Sequence, residues 1–99
     1  VDIRALIDTG ASRSILKDEI IEKLGLLPVG ALRMDTTALT GLPCYEYLLE
    51  GSFHGLTFTG VFIGAPLRNQ EIQALIGRDI LSHFVLTYSG PDNSFSLYC

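Results

Sequence analysis

Apolar residues in this chain come in short runs, broken by glycine or proline about every ten residues, a rhythm that predicts short strands and turns. Ile3 to Ile7 is such a run and predicts a buried strand leading directly into Asp8-Thr9-Gly10-Ala11-Ser12. Leu16, Ile20 and Leu24 follow at the i, i+4, i+8 spacing of one helix face. They predict a helix over Ile15 to Leu24, with Gly25 as its C-terminal cap and Pro28 opposing continuation. From Ala31 to Gly64 the pattern changes to strands. Thr40-Gly41-Leu42-Pro43 predicts a turn between a strand at Ala31 to Leu39 and another at Cys44 to Glu50. Leu56-Thr57-Phe58-Thr59 alternates apolar and hydroxyl residues, predicting a strand with one buried and one wetter face, which Val61-Phe62-Ile63 extends. Ala74-Leu75-Ile76 predicts a further buried strand ending at Gly77. Arg78 to Phe84 predicts a short helix, with Asp79 near its N-terminus where a carboxylate is favoured. Phe84 to Tyr88 and Ser94 to Tyr98 predict a closing hairpin across Ser89-Gly90-Pro91-Asp92-Asn93. The pattern is mostly β, with one or two short helices.

Composition narrows the class. The 99 residues fit one domain spanning 1–99, and neither a linker nor an internal repeat divides them. With 47% hydrophobic and 18% charged residues the chain is globular. A domain this small buries roughly 60–70% of its unfolded surface, so it gains from association. The net charge of -4 is scattered, and no Lys/Arg cluster exists to neutralise phosphates, which argues against nucleic acid as a partner. No apolar run approaches the ~18 residues of a membrane-spanning segment. The chain opens on Val1 without a signal peptide, which fits a processed product or a domain cut from something longer. Cys44 and Cys99 lack metal-ligand spacing; they could pair with each other, though they read rather as two buried or terminal thiols, which leaves the compartment open. His54 and His83 have no ligand-like neighbours and read as surface or helix-end residues. Gly10-Ala11-Ser12-Arg13-Ser14 lacks the last glycine of Gly-x-Ser-x-Gly, and no phosphate-binding glycine loop is present.

The candidate chemistry sits at Asp8. A buried strand delivers this carboxylate to a point where the backbone turns, and Gly10 permits the turn. Small residues at Ala11 and Ser12 let a substrate chain come close. Taken alone, an Asp beside Gly most commonly organises a turn. A carboxylate is costly to bury singly, but two facing each other share one proton. The charged partner then activates water while the protonated one polarises a peptide carbonyl, with no metal, cofactor or covalent intermediate.

Ala5-Leu6-Ile7-Asp8-Thr9-Gly10-Ala11-Ser12 resembles the active-site segment of the retropepsin-like aspartic proteases. Leu75-Ile76-Gly77-Arg78-Asp79-Ile80-Leu81 is similar to that family's second hallmark, two apolar residues and a glycine before a short helix. The resemblance covers most of the chain. It implies a mainly β, closed or partly open barrel-like fold and peptide-bond hydrolysis. It also implies that Asp8, Thr9 and Gly10 are catalytic, with Thr9 interlocking with its mate across a dimer axis. By the same resemblance Ala11, Ser12, Thr40, Gly41 and Leu42 bind substrate, the last three at the tip of a flap that closes over it. Leu42, Ile63 and Ile76 are the candidate lining of an apolar cleft. Arg78 is similar to an arginine that pairs with an acid two residues beyond the motif's glycine; that position is Ser12 here.

Asp8-Thr9-Gly10 occurs once; Asp35-Thr36-Thr37 is its nearest echo and lacks the glycine. The implied enzyme is therefore a homodimer with one Asp8 per chain and a polypeptide substrate. Only seven residues precede Asp8, so either the strands that usually come before the catalytic segment are trimmed or the interface uses other edges, with Ser94 to Cys99 a candidate. The alternative is a protease-like binding or dimerisation module with little hydrolytic activity.

Overall fold

The computed structural model describes residues 1–34, 41–68 and 71–99. Among them, β1 (Ala5–Ile7) leads through the Asp8 loop to β2 (Ile15–Lys17) and α1 (Asp18–Leu24). The strands β3 (Gly30–Met34), β4 (Leu42–Phe53) and β5 (Leu56–Ala65) follow. Then come β6 (Ala74–Ile76), α2 (Arg78–Leu81), β7 (Val85–Ser89) and β8 (Ser94–Tyr98). Six strands form one sheet in the order β1-β6-β2-β5-β4-β3, and β7-β8 form a second. The fold is mainly β with two short helices, as the pattern predicts. Both sheets are open rather than closed into a barrel.

The placement of β6 decides what happens at the site. It lies between β1, to which it is parallel (Ile7↔Ile76), and β2, to which it is antiparallel (Ile15↔Leu75). Two parallel strands in register end together, so Asp8 and Gly77 leave the sheet side by side. The chain must then loop over the end of β6 to enter β2, and residues 8–14 form that loop.

Ile15-Leu16-Lys17 is a strand where helical spacing predicts the start of α1. The reason lies outside the local sequence, because β5 pairs with it on one side (Ile15↔Ile63) and β6 on the other. A segment flanked by two ready-made edges gains ladder bonds that a helix would forgo. The helix itself begins at Asp18, with Asp18 and Glu19 in its first turn and Lys23 in its last, charges that suit its dipole. Its buried residues are Ile20 and Ile21, while Leu24 is 44% exposed. Gly25 ends it as expected. At φ 65° its N–H donates to Glu22 O, and the Leu26 N–H reaches back to Ile21 O, a Schellman closure.

β3 and β4 pair antiparallel from Gly30↔Glu46 to Met34↔Leu42. Leu42 and Pro43 therefore belong to a strand, where the sequence places a turn. Pro43 is tolerated because β5 joins β4 only from Glu46 onward, so one side of the strand is open at the proline. The next turn, His54-Gly55, carries no expectation from sequence. Both residues have positive φ (46° and 84°), and Phe53 pairs with Leu56 across them, the backbone demanded by a two-residue type I′ hairpin loop. The expected alternation of β5 and the closing β7–β8 hairpin are both present.

The core gathers Leu16, Ile20, Ile21, Phe62, Ala74 and Ile80, with Ile76 and Phe84 packed against it. Strand β6 and helix α2 are thus anchored from below, which makes the junction between them a firm base for the Asp8 loop.

Candidate active site

Asp8 lies at the carboxyl end of β1 and is half-buried. Its backbone N–H donates to Ile76 O at 2.9 Å, extending the β1–β6 ladder by one bond. Its carboxylate accepts the Gly10 N–H at Oδ1 (3.0 Å), and its carbonyl accepts the Ala11 N–H at 3.2 Å. Among the described residues no Lys or Arg forms an ion pair with Asp8. Most of the carboxylate's accepting capacity therefore stays free for chemistry.

Gly10 allows a close approach as well as the turn read from sequence. Its backbone is not left-handed, and a Cβ there would stand 3.3 Å from Asp8 Oδ1. The glycine thus lets its own N–H and the carboxylate approach each other. Thr9 and Ser12 are exposed and Ala11 is half-buried, so this loop presents small side chains beside the acid.

The β6–α2 junction grips the loop from the other side. The Arg78 N–H donates to Ala11 O at 2.8 Å, and Arg78 Nη1 donates to Thr9 O at 2.9 Å. Arg78 therefore braces the loop through a backbone carbonyl, which explains how it manages with Ser12 at the position of the usual acid. Gly77 is extended (φ -96°, ψ -174°). A Cβ on it would meet Arg13 O at 2.7 Å and Ala11 O at 2.9 Å. Loop and junction are in contact backbone to backbone, and only glycine fits between them.

A polar chain that sequence reasoning missed runs beneath the loop. Ser14, fully buried, donates its hydroxyl to Asp79 Oδ1 (2.6 Å) and its N–H to Asp79 Oδ2 (3.0 Å). The same hydroxyl accepts the Gly77 N–H at 2.9 Å. Arg13 lies between two acids, with Nη2 at 2.6 Å from Glu46 Oε2 and Nε at 3.6 Å from Asp79 Oδ2. Sequence gave only the helix-start preference of Asp79; its partners are 65 residues away.

The remaining expected substrate residues separate from this cluster. Gly41 lies next to β4, at the far edge of the sheet from β1, with φ 69° and its carbonyl accepting from Arg33 Nη1 at 2.9 Å. Leu42 opens β4 opposite Met34, and Thr40 lies outside the described residues. The hairpin is tied to the Asp8 loop near its base, through the Arg13–Glu46 pair, since Glu46 is opposite Gly30. Ile63 is fully buried in the sheet and cannot line a cleft, whereas Ile76 borders an open apolar groove. Cys44 and Cys99 form no disulfide. Among the described residues no helix is long and apolar enough to cross a membrane.

The model of one protein family, described as aspartyl protease, matches residues 1–80. That span takes in both the Asp8 loop and the Gly77 junction and stops before β7. No curated protein and no solved structure matches the chain.

Proposed function

The chain belongs to the aspartyl protease family, and from that premise we propose that it is a retropepsin-like endopeptidase whose site is shared by two copies, one Asp8 from each. The observation that carries this reading is the Asp8 loop itself. A single carboxylate is held at a strand end by the ladder, by Gly10 and by Arg78, and most of its lone pairs remain uncommitted. One such loop supplies half of a two-carboxylate site, and the sequence holds no second Asp-Thr-Gly.

Two copies related by a two-fold axis bring the Asp8 side chains together. The pair holds one proton between them, because two like charges ~3 Å apart do not both ionise. The ionised Asp8 takes a proton from a water molecule. That water attacks the peptide carbonyl while the protonated Asp8 of the other copy donates to the carbonyl oxygen. Collapse of the tetrahedral intermediate then returns a proton to the leaving amine. Thr9 and Gly10 hold the two acids in place, and Ala11 and Ser12 line the approach of a polypeptide. Gly41 and Leu42 on the β3–β4 hairpin contribute the covering side.

Association is supported by how much apolar surface one copy leaves open. Leu6, beside Asp8 on β1, is 45% exposed, and Tyr88 and Tyr98 on the β7–β8 hairpin are 68% and 50% exposed. A groove of about 1280 Å³ is bordered by the exposed Leu6, Leu24, Phe53, Tyr88 and Phe95. Hydrolysis of a peptide mixture should therefore rise more steeply than in proportion to protein concentration, and the active species should sediment as a dimer. Full activity from a strictly monomeric protein contradicts the shared site. An inert protein that nevertheless dimerises points to the binding module instead.

A further inference from the structure

The Asp8 loop is held at four points by the segment from Ile76 to Asp79. Three are backbone contacts or Arg78, at Asp8, Thr9 and Ala11. The fourth is Ser14, and it differs in kind because a carboxylate holds it, beside the bond it accepts from the Gly77 N–H. Asp79 Oδ1 accepts the Ser14 hydroxyl and the Ile80 N–H, and Oδ2 accepts the Ser14 N–H with Arg13 Nε nearby. Both oxygens thus face donors only. The 2.6 Å hydroxyl bond is in the short range of a hydrogen bond to an ionised oxygen, about twice as strong as a neutral one. Donating to Asp79 also fixes the direction of the Ser14 hydroxyl, leaving its lone pair for the Gly77 N–H. The Ser14 carbonyl accepts from Ile63, so Ser14 is locked to β5, to Gly77 and to α2 at once.

We propose that Asp79, acting through Ser14, is a positioning residue for the Asp8 loop, setting where the catalytic carboxylate stands without touching substrate. Arg13 adds a second arm, joining the same carboxylate to Glu46 on the β3–β4 hairpin, so the base of the covering hairpin and the acid are set against one reference point. The inference rests on the protease reading of Asp8, and its test also has a readout that does not.

Steady-state cleavage is measured for Asp79→Ala, Asp79→Asn, Ser14→Ala and the Ser14→Ala/Asp79→Ala double variant. A displaced reactive group of this kind costs up to about 100-fold, so kcat should fall roughly 10- to 100-fold while KM moves less than about threefold. Asn fills the same space as Asp but should lose nearly as much as Ala, because either orientation of its amide puts an NH2 against a donor. The double variant should cost about as much as the worse single one, since both remove the same interaction. In the folded Asp79→Asn protein, amide exchange at Asp8, Ala11, Gly77 and Arg78 should speed up about tenfold while the β4–β5 ladder keeps its protection. An Asp79→Asn enzyme with unchanged kcat overturns the proposal, and so does exchange that rises equally throughout the sheet. If the wild-type chain cleaves nothing, the protease reading fails, and the exchange pattern alone still decides whether Asp79 sets the loop.

Discussion

Asp8→Asn is expected to lower peptide cleavage by at least about 10³-fold, the scale set by losing general acid–base catalysis at the reacting water. The substitution suits the local geometry. The asparagine Oδ1 can still accept the Gly10 N–H, and the Asp8 N–H bond to Ile76 O is backbone and survives. Folding stability should therefore shift by less than about 1 kcal/mol, as for a change away from core packing. What is lost is the shared proton: an amide pair neither takes a proton from water nor passes one to a carbonyl. The check is a cleavage assay beside a thermal melt of the same preparation. Cleavage that persists undiminished in Asp8→Asn contradicts the assignment of Asp8, and cleavage lost together with the fold leaves loop geometry as the cause.

Gly77→Ala carries the largest expected effect on the fold. The added methyl meets Arg13 O, Ala11 O and Arg13 C at 2.7 to 2.9 Å, and all three are backbone atoms that cannot rotate away. Overpacking of this kind costs about 3 kcal/mol, which for a domain of this size lowers the melting temperature by roughly 10–20 °C. The loop must rise off the junction to make room, and the Arg78–Ala11 and Ser14–Gly77 bonds stretch with it. Cleavage by the folded fraction should fall too. A melting temperature within about 3 °C of wild type would mean that the loop and junction tolerate separation.

Much of this was legible in the chain. Ala5 to Ser12 and Leu75 to Leu81 mark the two segments that the β1–β6 pairing brings side by side, and Gly25 marks the helix end. These are local signals, a short apolar run meeting a turn residue. What sequence could not give depends on partners far along the chain. Ile15-Leu16-Lys17 has helical spacing and becomes a strand because β5 and β6 flank it. Ser14 and Asp79 look like an ordinary loop serine and an ordinary helix-start acid until the fold brings them together. Gly10 reads as permitting a turn, and the chain turns at Thr9-Gly10; its close approach to Asp8 Oδ1 shows only in the structure. Ile63 was placed in a cleft on hydrophobicity alone, which cannot separate a lining residue from a core one. Leu42 and Pro43 read as turn residues but belong to β4, whose open side accepts the proline.

The central claim is that each chain holds half a site, and mixing tests it directly. Wild-type and Asp8→Asn chains are combined at constant total concentration, allowed to exchange, and assayed for peptide cleavage. If a working site needs one intact Asp8 from each copy, an equal mixture retains about one quarter of the all-wild-type activity, because only that fraction of random pairs carries both. Activity of about one half, falling in simple proportion to the wild-type share, would mean that each chain works alone and would contradict the shared site.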